Sequence, residues 1–516
     1  MKTAPCKGAL VLGLALAATA NAQLTDPDYG YVGKITPRST AQINAAGYTT
    51  PFGVGGETTD RGFSNFTLWK DYLGPLGASK IRIQSGWHFI EPVIYTNPVY
   101  DFTKLDSIVD GVLAQGVKPF VFLGYGNENP GCVACGTKGL GAAVPTGAGL
   151  SKFLDFVRAT VSRYNTPTVK VTDWQIWNEP DGHVAVADYN ILIVETAKAI
   201  KQIQPTAKIT IGSFTTGVLG GTSSSGYLYA QDVVNYFAAN KGATVPNADV
   251  SVGFHPYWGL PDYDSYPSQL TKFDAFKSLV QGKGFKIRQD ENGAPSAPCQ
   301  YYALCGTAQW DEANQAKYVL RRMLGDFYRG IESSIFTISD LHYDAEKNVK
   351  GLLRTGTWNS SNDSPYFNGD QTVKGKKIAY SSYQNVTSVF DNRMQVIASP
   401  ACTAPYGFTV HAYTRNDGGV VRNMLAVWRK TSELPAPNNV VKIDINCTNF
   451  HFPRLASGPT LRPRFADLLD GRVYQLNSTA TVVGNSAASN DVGLRGIPVG
   501  DHPVLIADQG IVLFTP

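Results

Sequence analysis

The sequence has little net charge and no long apolar run beyond its N-terminus. Lys and Arg number 45 and Asp and Glu number 41, which is far from the basic excess of a nucleic-acid-binding protein. No later stretch reaches the roughly 18 apolar residues of a membrane span, so we expect no membrane partner. The 51 Gly and 30 Pro show no period, which excludes collagen and low-complexity chains. With 43% hydrophobic residues, the chain should fold around a large core.

The N-terminus has the pattern of a secretory signal peptide. Two lysines precede an apolar run over residues 8–20, and a small-x-small cleavage signal ends at Ala22. We therefore predict a signal peptide over residues 1–22 and a secreted, extracellular protein, or a periplasmic one if the host is a Gram-negative bacterium. A buried N-terminal helix is the alternative.

The cysteine count predicts disulfide bonds. The chain has 7 cysteines, and Cys6 would leave with the signal peptide. An even number in an exported chain favours disulfides. The simplest connectivity joins sequence neighbours, which gives the pairs 132–135, 299–305 and 402–447. A zinc or redox site at the first two pairs is the alternative, and the export signal and the absence of a nearby His argue against it.

From about residue 52, short apolar runs alternate with longer amphipathic ones, which is typical of βα units. The predicted strands cover residues 52–56, 80–84, 119–124, 173–179, 208–213, 249–255, 286–291 and 333–339. The predicted helices cover residues 104–115, 150–164, 186–203, 228–239, 268–282, 312–329 and 376–390. This regular alternation of eight strands with helices predicts an α/β fold of the (β/α)8 TIM barrel type, with a doubly wound open sheet as the alternative.

The pattern changes after about residue 392. Helical periodicity gives way to alternating strands joined by turn signals such as Asp470-Gly471. We predict a (β/α)8 catalytic barrel over residues 23–391 and a C-terminal antiparallel β-sandwich over residues 392–516. Residues 23–50 are ambiguous and could add a strand to the sandwich.

Two predicted strands of the barrel end in glutamates. The fourth ends in Trp177-Asn178-Glu179 and the seventh in Asp290-Glu291. Catalytic groups of barrels lie at these strand ends, so Glu179 and Glu291 should face each other across the barrel mouth. Opposed carboxyl groups suit glycosidic bond cleavage, with retention at a separation of about 5 Å and inversion at a wider one. By strand alternation Asp290 should point away from Glu291, so we assign it a structural role.

These residues resemble the motifs of a known enzyme clan. Asn178-Glu179-Pro180 and Glu291 are similar to those of the retaining (β/α)8 glycoside hydrolases of clan A. With the trailing sandwich, residues 50–516 most resemble family 39, which includes β-xylosidases and α-L-iduronidases, and related exopolysaccharide hydrolases. The resemblance implies a retaining β-glycosidase acting on oligo- or polysaccharides. It also implies Glu179 as acid/base, Glu291 as nucleophile and Asn178 as the ligand of the sugar 2-hydroxyl.

The resemblance extends to three further residues. Arg82, near the end of the second strand, resembles the clan's arginine that keeps the nucleophile ionised. His255 and Tyr257, at the end of the sixth strand, resemble its His-x-Tyr pair, with Tyr257 donating towards Glu291. The structural alternatives are an ion pair inside the barrel for Arg82 and a hydrogen-bonded core histidine for His255.

Aromatic side chains near strand ends suit stacking on the apolar faces of sugars. Trp87 and Trp358 are the predicted substrate-binding aromatics, and Trp177 is expected in the core. Asp340 and His342 follow the eighth strand and either contact substrate or belong to loop structure.

The sequence indicates no metal or other cofactor, because no cluster of His, Asp or Cys accompanies the two glutamates. We expect a monomer with a carbohydrate substrate. Lys350, Arg354 and His342 could together hold a substrate carboxylate. A catalytically inactive carbohydrate-binding protein is one alternative, and an inverting hydrolase or a transglycosylase on the same barrel is another.

Overall fold

The fold is described from a computed structural model of the chain. It describes residues 24, 28–57, 60–94, 97–140, 143–265, 267–306, 310–359, 369–398, 401–430, 440–452, 463–476, 482–486 and 491–516. The predicted signal peptide, residues 1–22, lies outside the described residues.

Parallel strands close into an eight-stranded barrel. In chain order these barrel strands are Phe52–Gly55, Lys80–Gln84, Lys118–Leu123, Asp173–Ile176, Lys208–Phe214, Val250–Phe254, Lys286–Asn292 and Glu332–Ile335. The first strand pairs with both the second and the eighth, so the sheet has no open edge. The predicted TIM barrel is confirmed, and closure excludes the open-sheet alternative.

Amphipathic helices cover the outside of the barrel. The long ones are Thr103–Ala114, Gly147–Asn165, Val186–Ile203, Ser225–Asn240, Pro267–Gln281, Glu312–Tyr328 and Ile378–Val389. Short α-helices and 3-10 turns span Thr40–Ala45, Phe66–Trp69, Lys70–Tyr72, Gly74–Leu76, Trp87–Ile90, Pro180–Gly182, Thr216–Leu219 and Asn247–Asp249. In the third long helix, Ile193, Ala197 and Ile200 recur at helical spacing and face the barrel. None of the described helices combines the length and the apolar character needed to span a membrane.

Two antiparallel sheets form the C-terminal sandwich. In spatial order the larger sheet contains Met394–Val396, Phe408–Asp417, Val420–Arg429, Val504–Ala507, Arg464–Asp467, Arg472–Leu476, Tyr29–Ile35 and Phe514–Thr515. The smaller sheet contains Ala401–Thr403, Val441–Thr448, Asp491–Val499 and Val482–Ser486. Leu425, Ile445 and Leu494 belong to the apolar core between them, which confirms the predicted sandwich.

The strand Tyr29–Ile35 lies in the larger sheet, between Arg472–Leu476 and Phe514–Thr515. This corrects the predicted barrel range of 23–391, because the barrel itself begins at Phe52. The physical reason is that the N-terminal strand finds its hydrogen-bonding partners in the last part of the chain.

The barrel and the larger sheet of the sandwich share an apolar core. Met424 and Trp428 of the larger sheet belong to the same buried cluster as the barrel helices. The rings of Tyr328 and His411 stack across the boundary with centroids 3.7 Å apart. The sandwich therefore packs directly on the barrel.

Two small hairpins follow the eighth barrel strand. Leu341–His342 pairs with Lys347–Asn348, and Leu353–Thr355 pairs with Val373–Lys376. The structure joins the cysteines in the predicted pairs, Cys132–Cys135, Cys299–Cys305 and Cys402–Cys447. The second pair closes a short loop beside these hairpins.

Candidate active site

Glu179 and Glu291 face each other at the carboxyl end of the barrel. One oxygen of each carboxylate and one ring nitrogen of His255 lie within 4.8 Å of one another. Side-chain exposure is 19% for Glu179 and 13% for Glu291, so both carboxylates reach solvent. The structure thus brings together the two predicted glutamates.

The backbone around Glu179 is unusual. Trp177 and Glu179 have φ values of 64° and 46°, in the left-handed region that non-glycine residues rarely adopt. Such residues cost about 1–3 kcal/mol each and concentrate at functional sites. The Glu179 N–H donates to the Ser213 carbonyl of the fifth strand at 3.0 Å, which anchors the turn. Trp177 itself is fully buried, as expected.

Arg82 is buried, and its N–H groups donate hydrogen bonds to four side chains. Nη1 donates to Glu291 Oε2 at 2.9 Å and to Glu57 Oε1 at 2.7 Å. Nη2 donates to Asn178 Oδ1 at 2.6 Å, and Nε donates to Gln175 Oε1 at 2.7 Å. Burial alone would lower the pKa of Arg82, but the Glu57 and Glu291 carboxylates outweigh burial and raise it. Arg82 therefore remains a cation beside both carboxylates.

Glu291 is held through both of its oxygens. Tyr257 donates its hydroxyl to Glu291 Oε1 at 2.9 Å, while Arg82 occupies the other oxygen. Burial raises the pKa of Tyr257 well above its ordinary value, so the phenol keeps the proton that it donates. These two donors fix the orientation of the Glu291 carboxylate.

His255 joins the two predicted catalytic glutamates to Asp290. Its Nδ1 lies 2.9 Å from Glu179 Oε1, and its Nε2 lies 3.4 Å from Asp290 Oδ1. Burial lowers the pKa of His255, but Glu291 and Asp290 outweigh burial and raise it well above its ordinary value. The buried imidazole is therefore a cation that touches Glu179.

Asp290 lies on the inner face of the seventh strand, as does Arg288 two residues earlier, which contacts Asp173 inside the barrel. The register with the eighth strand shifts between Gln289 and Asn292, and such irregularities re-aim side chains, so the neighbouring Glu291 also reaches His255. A Cβ on Gly253 of the sixth strand would come within 2.8 Å of Asp290 Cγ, so glycine makes room for this carboxylate. Asp290 contacts Nε2 of His255, the ring nitrogen opposite the one that contacts Glu179. This is a more direct role than the structural one that the sequence indicated.

Glu57 is a buried carboxylate that the sequence analysis did not identify. It follows the first barrel strand, and Gln84 Nε2 donates to its Oε2 at 3.1 Å. Burial raises the pKa of Glu57 to about 7, while the charge of Arg82 opposes this shift. Its place at a strand end is the signal that could have identified it, by the rule that selected Glu179.

Trp87 is not a sugar platform. It is fully buried, stacks on Phe156 with centroids 5.8 Å apart, and donates Nε1 to Glu91 at 2.7 Å. The prediction is corrected, because the short helix after the second strand turns the ring into the core. Trp358 is half-buried and donates Nε1 to the Tyr343 carbonyl at 2.7 Å, so its role in binding sugar stays a prediction.

Asp340 and His342 serve the structure of the loop after the eighth strand. Asp340 is buried and forms an ion pair with Lys377 at 2.6 Å. His342 is buried as well, with Nε2 2.9 Å from Thr355 Oγ1. These partners favour the loop-structure reading of both residues.

The predicted carboxylate-binding group does not converge. Arg354 forms an ion pair with Glu312 at the surface, while His342 is buried against Thr355. Lys350 alone approaches the site, with Nζ 6.0 Å from the ring centre of Tyr257.

Glu179, His255 and Glu291 could together offer one nitrogen and two oxygens to a metal ion. The guanidinium of Arg82 contacts Glu291 and would repel a further cation there, so we assign no metal to these residues.

Part of the barrel is similar in sequence to known proteins. Residues 89–246, which include Asn178 and Glu179, match the sequence profile of Glycosyl hydrolases family 39. The predicted resemblance to family 39 is confirmed. A β-xylosidase of Geobacillus stearothermophilus is 31% identical to this chain over 121 residues, which span 21% of this chain and 23% of that relative.

Solved structures share the architecture of most of the chain. A monomeric β-xylosidase from Caulobacter crescentus CB15 has 16% identity and a TM-score of 0.56, covering 93% of this chain and 97% of that chain. A family 39 glycoside hydrolase from Bacteroides cellulosilyticus WH2 has 15% identity and a TM-score of 0.54, covering 90% of this chain and 81% of that chain. At this identity the similarity shows the fold, a TIM barrel with a β-sandwich.

Proposed function

We propose that this chain is a retaining β-glycosidase that cleaves O-glycosidic bonds of oligo- or polysaccharides, with Glu179 as acid/base and Glu291 as nucleophile. The observation that carries the proposal is the approach of the two carboxylates to within 4.8 Å. Retaining enzymes place these groups about 5–5.5 Å apart, and inverting enzymes need about 6.5–9.5 Å to admit a water molecule.

In the first step, Glu291 attacks the anomeric carbon. The bond from this carbon to the aglycone oxygen breaks, the electron pair leaves with that oxygen, and Glu179 protonates it. In the second step, Glu179 takes a proton from water, the water oxygen attacks the anomeric carbon, and the ester bond to Glu291 breaks. The contacts with Arg82 and Tyr257 aim Glu291, and His255 orients Glu179.

Substituting each glutamate separates the two roles. Glu291→Gln should abolish turnover of aryl glycosides, because no nucleophile remains. For Glu179→Gln, turnover should fall about 10²–10⁴-fold with aryl glycosides that have poor leaving groups. The fall should be smaller with good leaving groups, which need no protonation. Added azide should restore turnover only in Glu179→Gln, and the product should be a β-glycosyl azide. Glu128→Gln, an exposed glutamate outside the site, is the control.

Trapping tests the mechanism itself. A 2-deoxy-2-fluoro glycoside should leave a covalent adduct on Glu291, located by peptide mass spectrometry. An adduct elsewhere would remove Glu291 as nucleophile, and inverted product in an NMR time course would establish the inverting alternative. Binding of oligosaccharides without any turnover would establish the non-catalytic alternative.

We also propose export of the protein as a monomer. The pattern of residues 1–22 supports cleavage after Ala22, and the three disulfides suit an oxidising compartment. The mature protein should begin at Gln23 by N-terminal sequencing and sediment as a monomer. Retention of the full chain in the cytoplasm would contradict export.

A further inference from the structure

One nitrogen of Arg82 is shared between two carboxylates. Nη1 donates to Glu57 Oε1 at 2.7 Å and to Glu291 Oε2 at 2.9 Å. Glu57 Oε2 accepts from Gln84 Nε2 at 3.1 Å, so both oxygens of Glu57 accept hydrogen bonds, as those of an ionised carboxylate do. Glu57 is 1% exposed, so water does not screen this contact.

The proposed reaction removes the charge of one of these carboxylates. When Glu291 attacks the anomeric carbon it becomes a neutral ester, and the buried guanidinium of Arg82 loses an anionic partner. The other side chains that accept from Arg82, Asn178 and Gln175, are neutral amides. An unpaired buried guanidinium is unfavourable, so the intermediate requires another anion.

We infer that Glu57 is a positioning residue that keeps Arg82 paired while Glu291 is esterified. The inference rests on the proposed function, because it requires a covalent intermediate on Glu291. Nη1 already contacts Glu57, so no side chain has to move when the ester forms. Arg82 then stays in place to receive the carboxylate of Glu291 when the ester bond breaks.

The charges around Glu57 agree with this role. The titratable groups that act on it or are influenced by it are Arg61, Arg82, His255, Glu291 and Tyr343. Burial raises the pKa of Glu57 to about 7, and the charge of Glu291 adds to this effect. Esterification removes that charge and so favours the ionised form of Glu57. At about pH 8 Glu57 is ionised before and after this step, and no proton has to leave it.

The lifetime of the trapped intermediate tests the inference. Wild type and Glu57→Gln are inactivated at about pH 8 with a 2-deoxy-2-fluoroglycosyl fluoride, excess reagent is removed, and recovery of activity in water is followed. We expect Glu57→Gln to inactivate about tenfold more slowly and to recover about tenfold faster, because only the variant leaves Arg82 without a carboxylate partner in the ester.

Matched variants isolate charge from size and burial. Glu57→Asp keeps the anion, whereas Glu57→Asn removes it. The inactivation and recovery rates of Glu57→Asp should therefore lie closer to those of wild type than the rates of Glu57→Asn do. This pair gives a second test if Glu57→Gln does not fold. Glu91→Gln replaces another buried glutamate, one that contacts Trp87, and should leave both rates unchanged.

The outcomes distinguish the inference from the proposed function. Equal adduct lifetimes in wild type and Glu57→Gln, with Glu291 labelled in both, would overturn the inference and leave the proposed function standing. A longer lifetime in Glu57→Gln would overturn it as well. Absence of any adduct on Glu291 in the wild type would overturn both.

Discussion

Replacing Lys350 with methionine should stabilise the protein, and more strongly at low pH than at high pH. Lys350 is 2% exposed, and its Nζ lies 6.0 Å and 5.8 Å from the ring centres of Tyr257 and Tyr302. Among the described residues, no carboxylate forms an ion pair with it and no acceptor takes a hydrogen bond from Nζ. Burial without a partner favours the neutral amine.

The nearest carboxylates are already engaged. Glu291 accepts from Arg82 and Tyr257, and Glu346 accepts from the backbone N–H of Tyr301 at 2.8 Å. Burial lowers the pKa of Lys350 to about 7, although the charges of Glu291 and Glu346 oppose it.

The magnitude follows from the difference in proton binding between the folded and unfolded chains. The pKa of Lys350 falls from an ordinary 10.5 to about 7 on folding. Between these values the unfolded chain binds more protons, so this residue makes the free energy of unfolding rise with pH. At about 1.4 kcal/mol per pH unit, burying Lys350 costs about 5 kcal/mol at about pH 6, and about 1–2 kcal/mol at about pH 9.5, where the amine must give up its proton on folding. Methionine keeps the buried stem without the charge.

Urea denaturation of wild type and Lys350→Met, followed by tryptophan fluorescence, measures this effect. The stabilisation by methionine should shrink by about 3 kcal/mol between about pH 6 and about pH 9.5. Lys118→Met, at an exposed lysine, should show no such change. A difference between Lys350→Met and wild type that stays constant with pH would refute the reasoning, as would a destabilised variant at the lower pH.

Three further variants test the surroundings of the site. Trp428→Ala should cost about 3–5 kcal/mol in denaturant unfolding, because it empties a buried site between barrel and sandwich. Cys299→Ser with Cys305→Ser should cost roughly 2 kcal/mol in the same assay, because the unfolded loop is no longer closed. Asp290→Asn should lower the pKa of His255, since it removes a neighbouring anion, and should shift the alkaline limb of the kcat/KM profile to lower pH.

The barrel strands could be predicted from the sequence, except where a turn that aims a candidate catalytic side chain ends a strand early. The second strand lies where the alternation of Lys80–Gln84 predicts it. The fourth was predicted to reach residue 179 but ends at Ile176, because Trp177 and Glu179 adopt left-handed backbone conformations. Apolar alternation identifies a strand, but it does not show where a turn that aims a carboxylate replaces the pairing.

The residues missed by the sequence analysis depend on contacts between distant parts of the chain. The position of Glu57 after the first barrel strand marks it as a candidate, but only its contact with Arg82 shows that it belongs to the site. Asp290 and Glu291 are neighbours in the sequence, yet both approach His255, at a register shift that no local pattern indicates. For residues 23–50 the sequence left open both the barrel and an added sandwich strand, and only the pairing of Tyr29–Ile35 with strands at the other end of the chain decides between them.

The sandwich is connected to the candidate active site by the loop after the sixth barrel strand. Asp262 in this loop accepts from Arg321 Nε of a barrel helix at 2.9 Å and from Trp428 Nε1 of the sandwich at 3.0 Å. The same loop begins with His255 and carries Tyr257, whose hydroxyl must stay within hydrogen-bond distance of Glu291. Since Asp262 is buried, loss of the Trp428 donor would leave its Oδ1 without a hydrogen bond from the described residues and free the loop to shift. The sandwich therefore helps to hold the hydroxyl that orients the proposed nucleophile.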